Sequence, residues 1–130
     1  MSIDVMRSYI DAGVSVLDRM EDASLRAREI SRETGVRICS FGHAGDGNLH
    51  IYACRDDLDE QTWARAVRDV MDRLYAAARA LNGAVSGEHG IGHAKRSFLL
   101  ESLGERQLQL MRGIKAVFDP NGILNPGKVI

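Results

Sequence analysis

Apolar side chains recur at every third or fourth position along most of this chain, which is the spacing of amphipathic α-helices. Residues 3–20 have this pattern and are predicted to form an N-terminal helix. A second helix is predicted to begin near Ser24 and to stop at Gly35, because glycine commonly ends helices. The clearest apolar stripe belongs to a long helix that ends at 82–83, and it consists of Trp63, Val67, Val70, Leu74, Ala78 and Leu81.

Two strands are predicted at 36–43 and 48–54, between the second and third helices. Asp46-Gly47 lies between them, and Asp-Gly is the signature of a two-residue hairpin turn. A turn at that dipeptide makes the facing positions of the two strands His43 and His50, Phe41 and Tyr52, and Cys39 and Cys54.

The last third of the chain is predicted to contain a short strand at 84–86 and helices at 93–102 and 105–118. The last helix has a stripe, expected to be buried, of Leu108, Met111, Ile114 and Phe118. The resulting order, α-α-β-β-α-β-α-α, predicts an α+β fold in which an antiparallel sheet is layered with helices and is preceded by an N-terminal helix.

Length and charge narrow the classes of function. A chain of 130 residues is long enough for one domain and short for two ordinary ones. Its 17 basic and 18 acidic residues give a formal net charge of −1, so no sequence-wide attraction to nucleic acid or anionic lipid is expected. No apolar run approaches the roughly 20 residues that span a membrane, and the opening residues do not resemble a signal peptide. We therefore expect a cytoplasmic protein that is not integral to a membrane.

The two cysteines, Cys39 and Cys54, are too few for a disulfide scaffold. We expect two reduced thiols, with a disulfide between neighbouring strands as the alternative.

The segment FGHAGDGNLH, residues 41–50, places two histidines on one face of the predicted hairpin. Directly facing residues of a hairpin have Cβ atoms roughly 4.5–5.5 Å apart. Two imidazoles at that separation suit one metal ion with Zn–N bonds of about 2.0–2.1 Å. The alternative is that His43 and His50 are hydrogen-bonded residues at the rim of the core.

A second glycine-rich loop, GEHGIG at 87–92, contains Glu88 and His89. His43, His50 and Glu88 would form a set of two histidines and one carboxylate, which leaves coordination positions open for water or substrate. The alternative is that Glu88 and His89 make only local hydrogen bonds. A strand at 84–86 parallel to 48–54 would end far from the hairpin tip, so the sequence leaves open whether Glu88 reaches the histidines.

Three segments, FGHAGDGNLH, GAVSGEHGIGHAKR and LMRGIKAVFDPNGILNPGKV, together resemble the C-terminal cap region of the FAD-linked oxidase family. Members of that family include the flavin subunit of glycolate oxidase, D-lactate dehydrogenase and D-2-hydroxyglutarate dehydrogenase. The resemblance covers residues 33–130 and implies a ferredoxin-like cap domain.

The resemblance also implies roles for individual residues. The metal ligands of the family fall on His43, His50 and Glu88, and its catalytic base falls on His89. In the implied mechanism a divalent metal, zinc or similar, holds a small 2-hydroxy acid, the base removes the hydroxyl proton, and hydride passes to FAD. Asn125 matches the tail segment that returns toward the flavin and is assigned to cofactor binding; the alternative is a turn residue ahead of Pro126.

The chain also departs from the family. We expect residues 1–20 to be a separate helix, 21–130 to be the C-terminal-like domain, and the N-terminal FAD-binding domain to be absent, so that FAD is held mainly by another domain or subunit. Tyr52 stands where D-2-hydroxyglutarate dehydrogenases have an asparagine, which argues against that substrate. The alternative function is a standalone metal-binding or assembly module without turnover, and a homo-oligomer is left open.

Overall fold

The computed structural model describes residues 16–130, with side chains from residue 19 onward. Most of the predicted helix at 3–20 therefore lies outside the described residues. The described elements are α1 (Val16–Thr34), β1 (Arg37–His43), β2 (Asn48–Cys54), α2 (Glu60–Ala80), α3 (Arg96–Ser102) and α4 (Glu105–Phe118). The two strands form an antiparallel sheet, which confirms the predicted α+β class.

The chain divides into two compact units between Gly83 and Ala84. The length of 130 residues, taken by itself, favours a single domain. The first unit contains α1, the hairpin and α2, and the second contains α3, α4 and the C-terminal tail. Among the described residues, no helix is both long enough and apolar enough to cross a membrane.

The core of the first unit lies between the two long helices and one face of the hairpin. Helix α1 packs against α2 and against both strands. Val36 and Val70 are fully buried, and Ala27, Ile30 and Leu74 complete the buried cluster. The strands contribute alternate residues to this core, namely Ile38, Ile51 and Ala53, so the other alternate set lies on the outer face. Of the predicted stripe of α2, Val70 and Leu74 are buried and Trp63 packs against this core.

The predicted break between the first two helices is wrong. Residues 21–24 lie inside α1, where the charged side chains of Glu21 and Asp22 are exposed. Charged residues on the solvent side of a helix do not interrupt its backbone hydrogen bonds. The predicted stop at Gly35 is correct: this residue has a φ of 70° and its amide donates to the carbonyl of Ser31 at 3.0 Å.

Helix α2 is capped at both ends by local interactions. The side chain of Asp59 accepts a hydrogen bond from the amide of Thr62 at 3.0 Å. Hydrogen bonding from the side chain of Thr62, and then from its backbone, lowers the pKa of Asp59. At the other end Asn82 has a φ of 56°, and the amide of Gly83 donates to the carbonyl of Ala78 at 2.8 Å. The sequence correctly predicted this helix to end at Asn82-Gly83.

The second unit begins with an irregular segment where a strand was predicted at 84–86, so that prediction is wrong. Ser86 instead closes a turn: its hydroxyl donates to the carbonyl of Gly90 at 3.2 Å and accepts from Nζ of Lys95 at 3.3 Å. Helix α3 begins at Arg96, three residues later than predicted, because residues 92–95 form a turn.

Helix α4 has the predicted bounds, but its apolar face is mostly exposed. Leu108 is buried, whereas Ile114 is 62% exposed and Phe118 is 78% exposed. The predicted buried stripe is therefore wrong for these two residues. Leu110 and Val117 are exposed as well, at 61% and 76%.

Candidate metal centre

The loop between β1 and β2 contains four residues, 44–47, and not the two-residue turn predicted at Asp46-Gly47. The amide of Gly47 donates to the carbonyl of His43 at 3.1 Å, and Gly47 has a φ of 74° that favours glycine. The carboxylate of Asp46 accepts from the amide of Asn48 at 3.1 Å. Asp46 therefore helps to close a four-residue loop and not a two-residue turn.

The longer loop shifts the strand register from the predicted one. His43 faces Asn48, Phe41 faces His50, and Cys39 faces Tyr52. The predicted pairs are therefore wrong by two positions. A shift of two positions keeps every side chain on its face, since only a shift of one position exchanges the faces. The histidines consequently remain on one face as diagonal neighbours and not as a facing pair.

The diagonal placement still brings the two imidazoles together. Their ring centroids are 5.4 Å apart and their planes meet at 77°. One nitrogen of each ring lies within 4.8 Å of the other. Two Zn–N bonds of about 2.1 Å allow the nitrogens to be up to about 4.2 Å apart, which is close to the observed limit of 4.8 Å. The donor atoms of His43 and His50 thus fit a metal site that includes both.

Gly42 holds the hairpin in this register by its lack of a side chain. A Cβ at this position would lie 2.1 Å from the carbonyl oxygen of Asn48 and 3.0 Å from Cα of Leu49. The position therefore requires glycine because of close backbone approach, next to the first histidine.

The aromatic neighbours of His50 were not predicted as part of the site. The ring of Phe41 lies 5.3 Å from that of His50 and stacks on Tyr52 at 5.5 Å with an interplanar angle of 8°. Tyr52 is 49% exposed. The signal that locates these rings is the period-two pattern of the strands, which puts them on the face of the histidines.

The second glycine-rich loop holds Glu88 and His89 side by side in the second unit. Nε2 of His89 lies 3.7 Å from Oε1 of Glu88, and both side chains are about half exposed. Gly90 and Gly92 have φ values of 74° and 54°, and the carbonyl of Gly92 accepts from the amide of Val129 at 3.0 Å. Glu88 as a metal ligand and His89 as a base stay predictions.

Comparison with known proteins decides the family. A sequence model described as "FAD linked oxidases, C-terminal domain" matches residues 10–129. The chain belongs to this family. The range includes all three segments whose resemblance is noted above, and it begins upstream of residue 33, where that resemblance starts.

Several members of the FAD-linked oxidase family are close in sequence. A D-lactate dehydrogenase of Anaerostipes hadrus is 53% identical over 102 residues, which are 78% of this chain and 22% of the relative. The glycolate oxidase subunit GlcD of Bacillus subtilis is 39% identical over 101 residues, 78% of this chain and 21% of the relative. A D-2-hydroxyglutarate dehydrogenase of Stutzerimonas stutzeri is 41% identical over 93 residues, 71% of this chain and 20% of the relative. The chain thus spans about a fifth of the length of these relatives.

Asn125, assigned by resemblance to cofactor binding, lies in a turn of the C-terminal tail. It has a φ of 48°, its backbone carbonyl accepts from the amide of Lys128 at 3.2 Å, and its Oδ1 accepts from Nζ of Lys128 at 3.3 Å. These bonds fit the turn role that the sequence equally allowed. The assignment of Asn125 to FAD stays a prediction.

Proposed function

We propose that this chain is the metal-bearing C-terminal part of an FAD-dependent oxidoreductase that acts on a small 2-hydroxy acid of the D-lactate or glycolate type. The observation that carries the proposal is the pair of imidazoles, His43 and His50, held on one hairpin face with nitrogens within 4.8 Å in a member of the FAD-linked oxidase family.

The proposed roles follow from the chemistry of the side chains. His43, His50 and Glu88 would hold a divalent ion, which supplies Lewis-acid polarisation of the substrate hydroxyl when bound. His89 would accept the hydroxyl proton at an imidazole nitrogen as general base. Bound flavin supplies the hydride acceptor, and the protein supplies binding and orientation. Asn125 is proposed to face the flavin through the tail turn.

The surroundings of His50 support a short substrate. Tyr52 lies two residues beyond His50 on the same strand face and stacks on Phe41. Stacked aromatic rings offer apolar area and no cation for a second carboxylate. We therefore favour a 2-hydroxy acid with a small apolar substituent over a hydroxy diacid.

The exposed apolar face of α4 supports a function in which this chain packs against another protein domain or subunit. Leu110, Ile114 and Val117 lie on successive turns, and Phe118 adjoins them. Exposed apolar patches of this kind are typical of surfaces that pack against another protein. We propose that the flavin-binding part of the enzyme covers this face, since the chain spans only about a fifth of its relatives.

Metal analysis of the purified chain tests the proposal. The chain is loaded with zinc, desalted, and measured by elemental mass spectrometry beside His43→Ala and His93→Ala. We expect His43→Ala to weaken zinc binding by roughly tenfold or more. Mutation of a residue that only orients a metal ligand typically lowers metal affinity by about that factor, and removal of the ligand itself should lower it no less. His93→Ala removes a histidine outside the proposed ligand set and should retain the metal. Equal zinc in the wild type and His43→Ala would overturn the ligand assignment.

A further inference from the structure

Two thiols lie next to each other at the open end of the hairpin, on its outer face. The sulfurs of Cys39 and Cys54 are 3.9 Å apart, and both residues are partly exposed. Cys39 faces Tyr52 and Cys54 faces Arg37, so the two cysteines are diagonal neighbours on adjacent strands. The function proposed above does not use either thiol.

The sulfur of Cys39 lies beside a fixed cation. Nη1 of Arg37 donates a hydrogen bond to Sγ of Cys39 at 3.2 Å. The same guanidinium donates to both carboxylate oxygens of Asp56, at 2.6 and 2.9 Å. This pairing lowers the pKa of Asp56 and raises that of Arg37, so the cation persists at neutral pH. The guanidinium thus donates a hydrogen bond to the Cys39 sulfur while Asp56 holds it in place.

The sulfur of Cys54 lies close to that of Cys39. It lies 3.9 Å from Sγ of Cys39 and 3.9 Å from the carbonyl oxygen of Tyr52, and the single S–H of Cys54 has either atom as an acceptor. Burial raises the pKa of Cys54, and the hydrogen bond to Cys39 adds to this effect. Cys54 is thus a protonated thiol that points at the sulfur of its neighbour.

We propose that Cys39 and Cys54 are a peroxide-sensitive dithiol that closes reversibly to a disulfide across the open end of the hairpin. The Cys39 sulfur loses its proton and attacks one oxygen of hydrogen peroxide, an S–O bond forms, the O–O bond breaks, and the leaving hydroxide takes up a proton to become water. The Cys54 sulfur then loses its proton and attacks the sulfenic sulfur of Cys39. An S–S bond forms, the S–O bond breaks, and a second water leaves.

The balance of the reaction is two thiols plus one peroxide giving one disulfide and two waters. The two sulfurs together lose two electrons and the two peroxide oxygens gain them. Diagonal positions on neighbouring strands are farther apart than facing positions, so the bond that joins them is strained. Strained and exposed disulfides are the easily reduced ones, which makes this closure reversible by a dithiol reductant.

The test treats the full reduced chain with hydrogen peroxide and follows the free thiols and the intact mass. We expect both thiols to disappear, the mass to fall by two hydrogens, and a non-reducing peptide map to contain one peptide pair linked through Cys39 and Cys54. Dithiothreitol should restore both thiols. Dimers linked between chains, or separate sulfinic acids at the two cysteines, would overturn the proposal. These readouts use the wild-type chain and do not depend on the folding of any variant.

Variants then test the roles of the individual residues. Cys54→Ser should stop the reaction at a sulfenic acid on Cys39 that dimedone traps. Arg37→Gln should slow thiol loss by roughly threefold or more, since the cationic donor that stabilises negative charge on the attacking Cys39 sulfur is removed. The matched control is Arg26→Gln, which removes an arginine paired at 2.8 Å with Glu29 on α1. Equal rates for Arg37→Gln and Arg26→Gln would overturn the role assigned to Arg37.

Discussion

Asp119 is the residue that organises the C-terminal tail. It follows α4 directly, and its side chain is buried although it carries a charge. Its oxygens accept from the amides of Ile123 and Leu124, each at 2.9 Å, and from Nζ of Lys115. The hydrogen bond from Lys115 is the main cause that lowers the pKa of Asp119. A paired and hydrogen-bonded carboxylate of this kind fits the rule that buried charges are compensated.

The substitution Asp119→Asn is predicted to loosen this tail at neutral pH. An amide nitrogen cannot accept a hydrogen bond, so one backbone amide loses its acceptor. We expect hydrogen exchange at Ile123 or Leu124 to accelerate by roughly tenfold, the order expected for the loss of a bond to a charged acceptor. Asp57→Asn, at an exposed position of the first unit, is the control and should leave this exchange unchanged.

The same carboxylate predicts an acid dependence of the tail. A pKa that folding lowers means that the stabilisation is complete above the ordinary aspartate value of about 3.9 and is lost as the pH falls below it. Protection of the Ile123 and Leu124 amides, corrected for intrinsic exchange, should therefore be constant near neutrality and decrease in acid. In Asp119→Asn this decrease should be smaller. An identical acid profile in both proteins would show that another group controls the tail.

At the scale of elements, the hairpin depends on one close approach of backbones. The Cβ of an alanine at Gly42 would lie 2.1 Å from the carbonyl oxygen of Asn48, inside the hydrogen-bonded ladder. A Cβ added at Gly45, in the loop, would have nothing within 4 Å. The two glycines of this motif thus have different physical roles.

This difference predicts that Gly42→Ala destabilises the first unit by roughly 2 kcal/mol or more, because the strands must separate to admit the methyl group. Gly45→Ala is the matched control and should change the free energy of unfolding by less than about 0.5 kcal/mol. Urea unfolding followed by circular dichroism measures both. Equal stability of the two variants would show that the hairpin adjusts at Gly42 without cost.

At the scale of the whole molecule, the proposed chemistry requires protein beyond this chain, which covers about a fifth of its relatives. The role of His89 is therefore tested in a flavoenzyme that carries this chain together with a flavin-binding part. His89→Gln keeps a polar side chain but cannot act as the base. We expect turnover to fall by about 10²–10⁴-fold, as is typical for the loss of a general base, with metal content unchanged.

His93→Gln is the control for this experiment, because His93 lies in the turn before α3 and has no proposed role. Its turnover should match that of the wild type. Full turnover of His89→Gln with intact metal would show that another group removes the proton.

The sequence by itself determined the elements whose signals are local. The bounds of α4, the end of α2 at Asn82-Gly83, the stop of α1 at Gly35 and the two strands were predicted from periodicity and caps. The outer face of the hairpin was predicted as well, since the period of a strand assigns faces without reference to its partner. The resemblance of three motifs identified the family.

Only the tertiary structure decided the register, the loop length and the burial of faces. Asp46-Gly47 can close a two-residue or a four-residue loop. The loop length depends on which positions of the two strands face each other, and that register is set where Ile38 and Ile51 pack against the core. Likewise, periodicity predicts an apolar face for α4 but does not predict which residues cover that face. In this structure Ile114 and Phe118 on that face are exposed. Local pattern fixes the direction of a side chain, whereas its neighbours come from residues distant in the sequence.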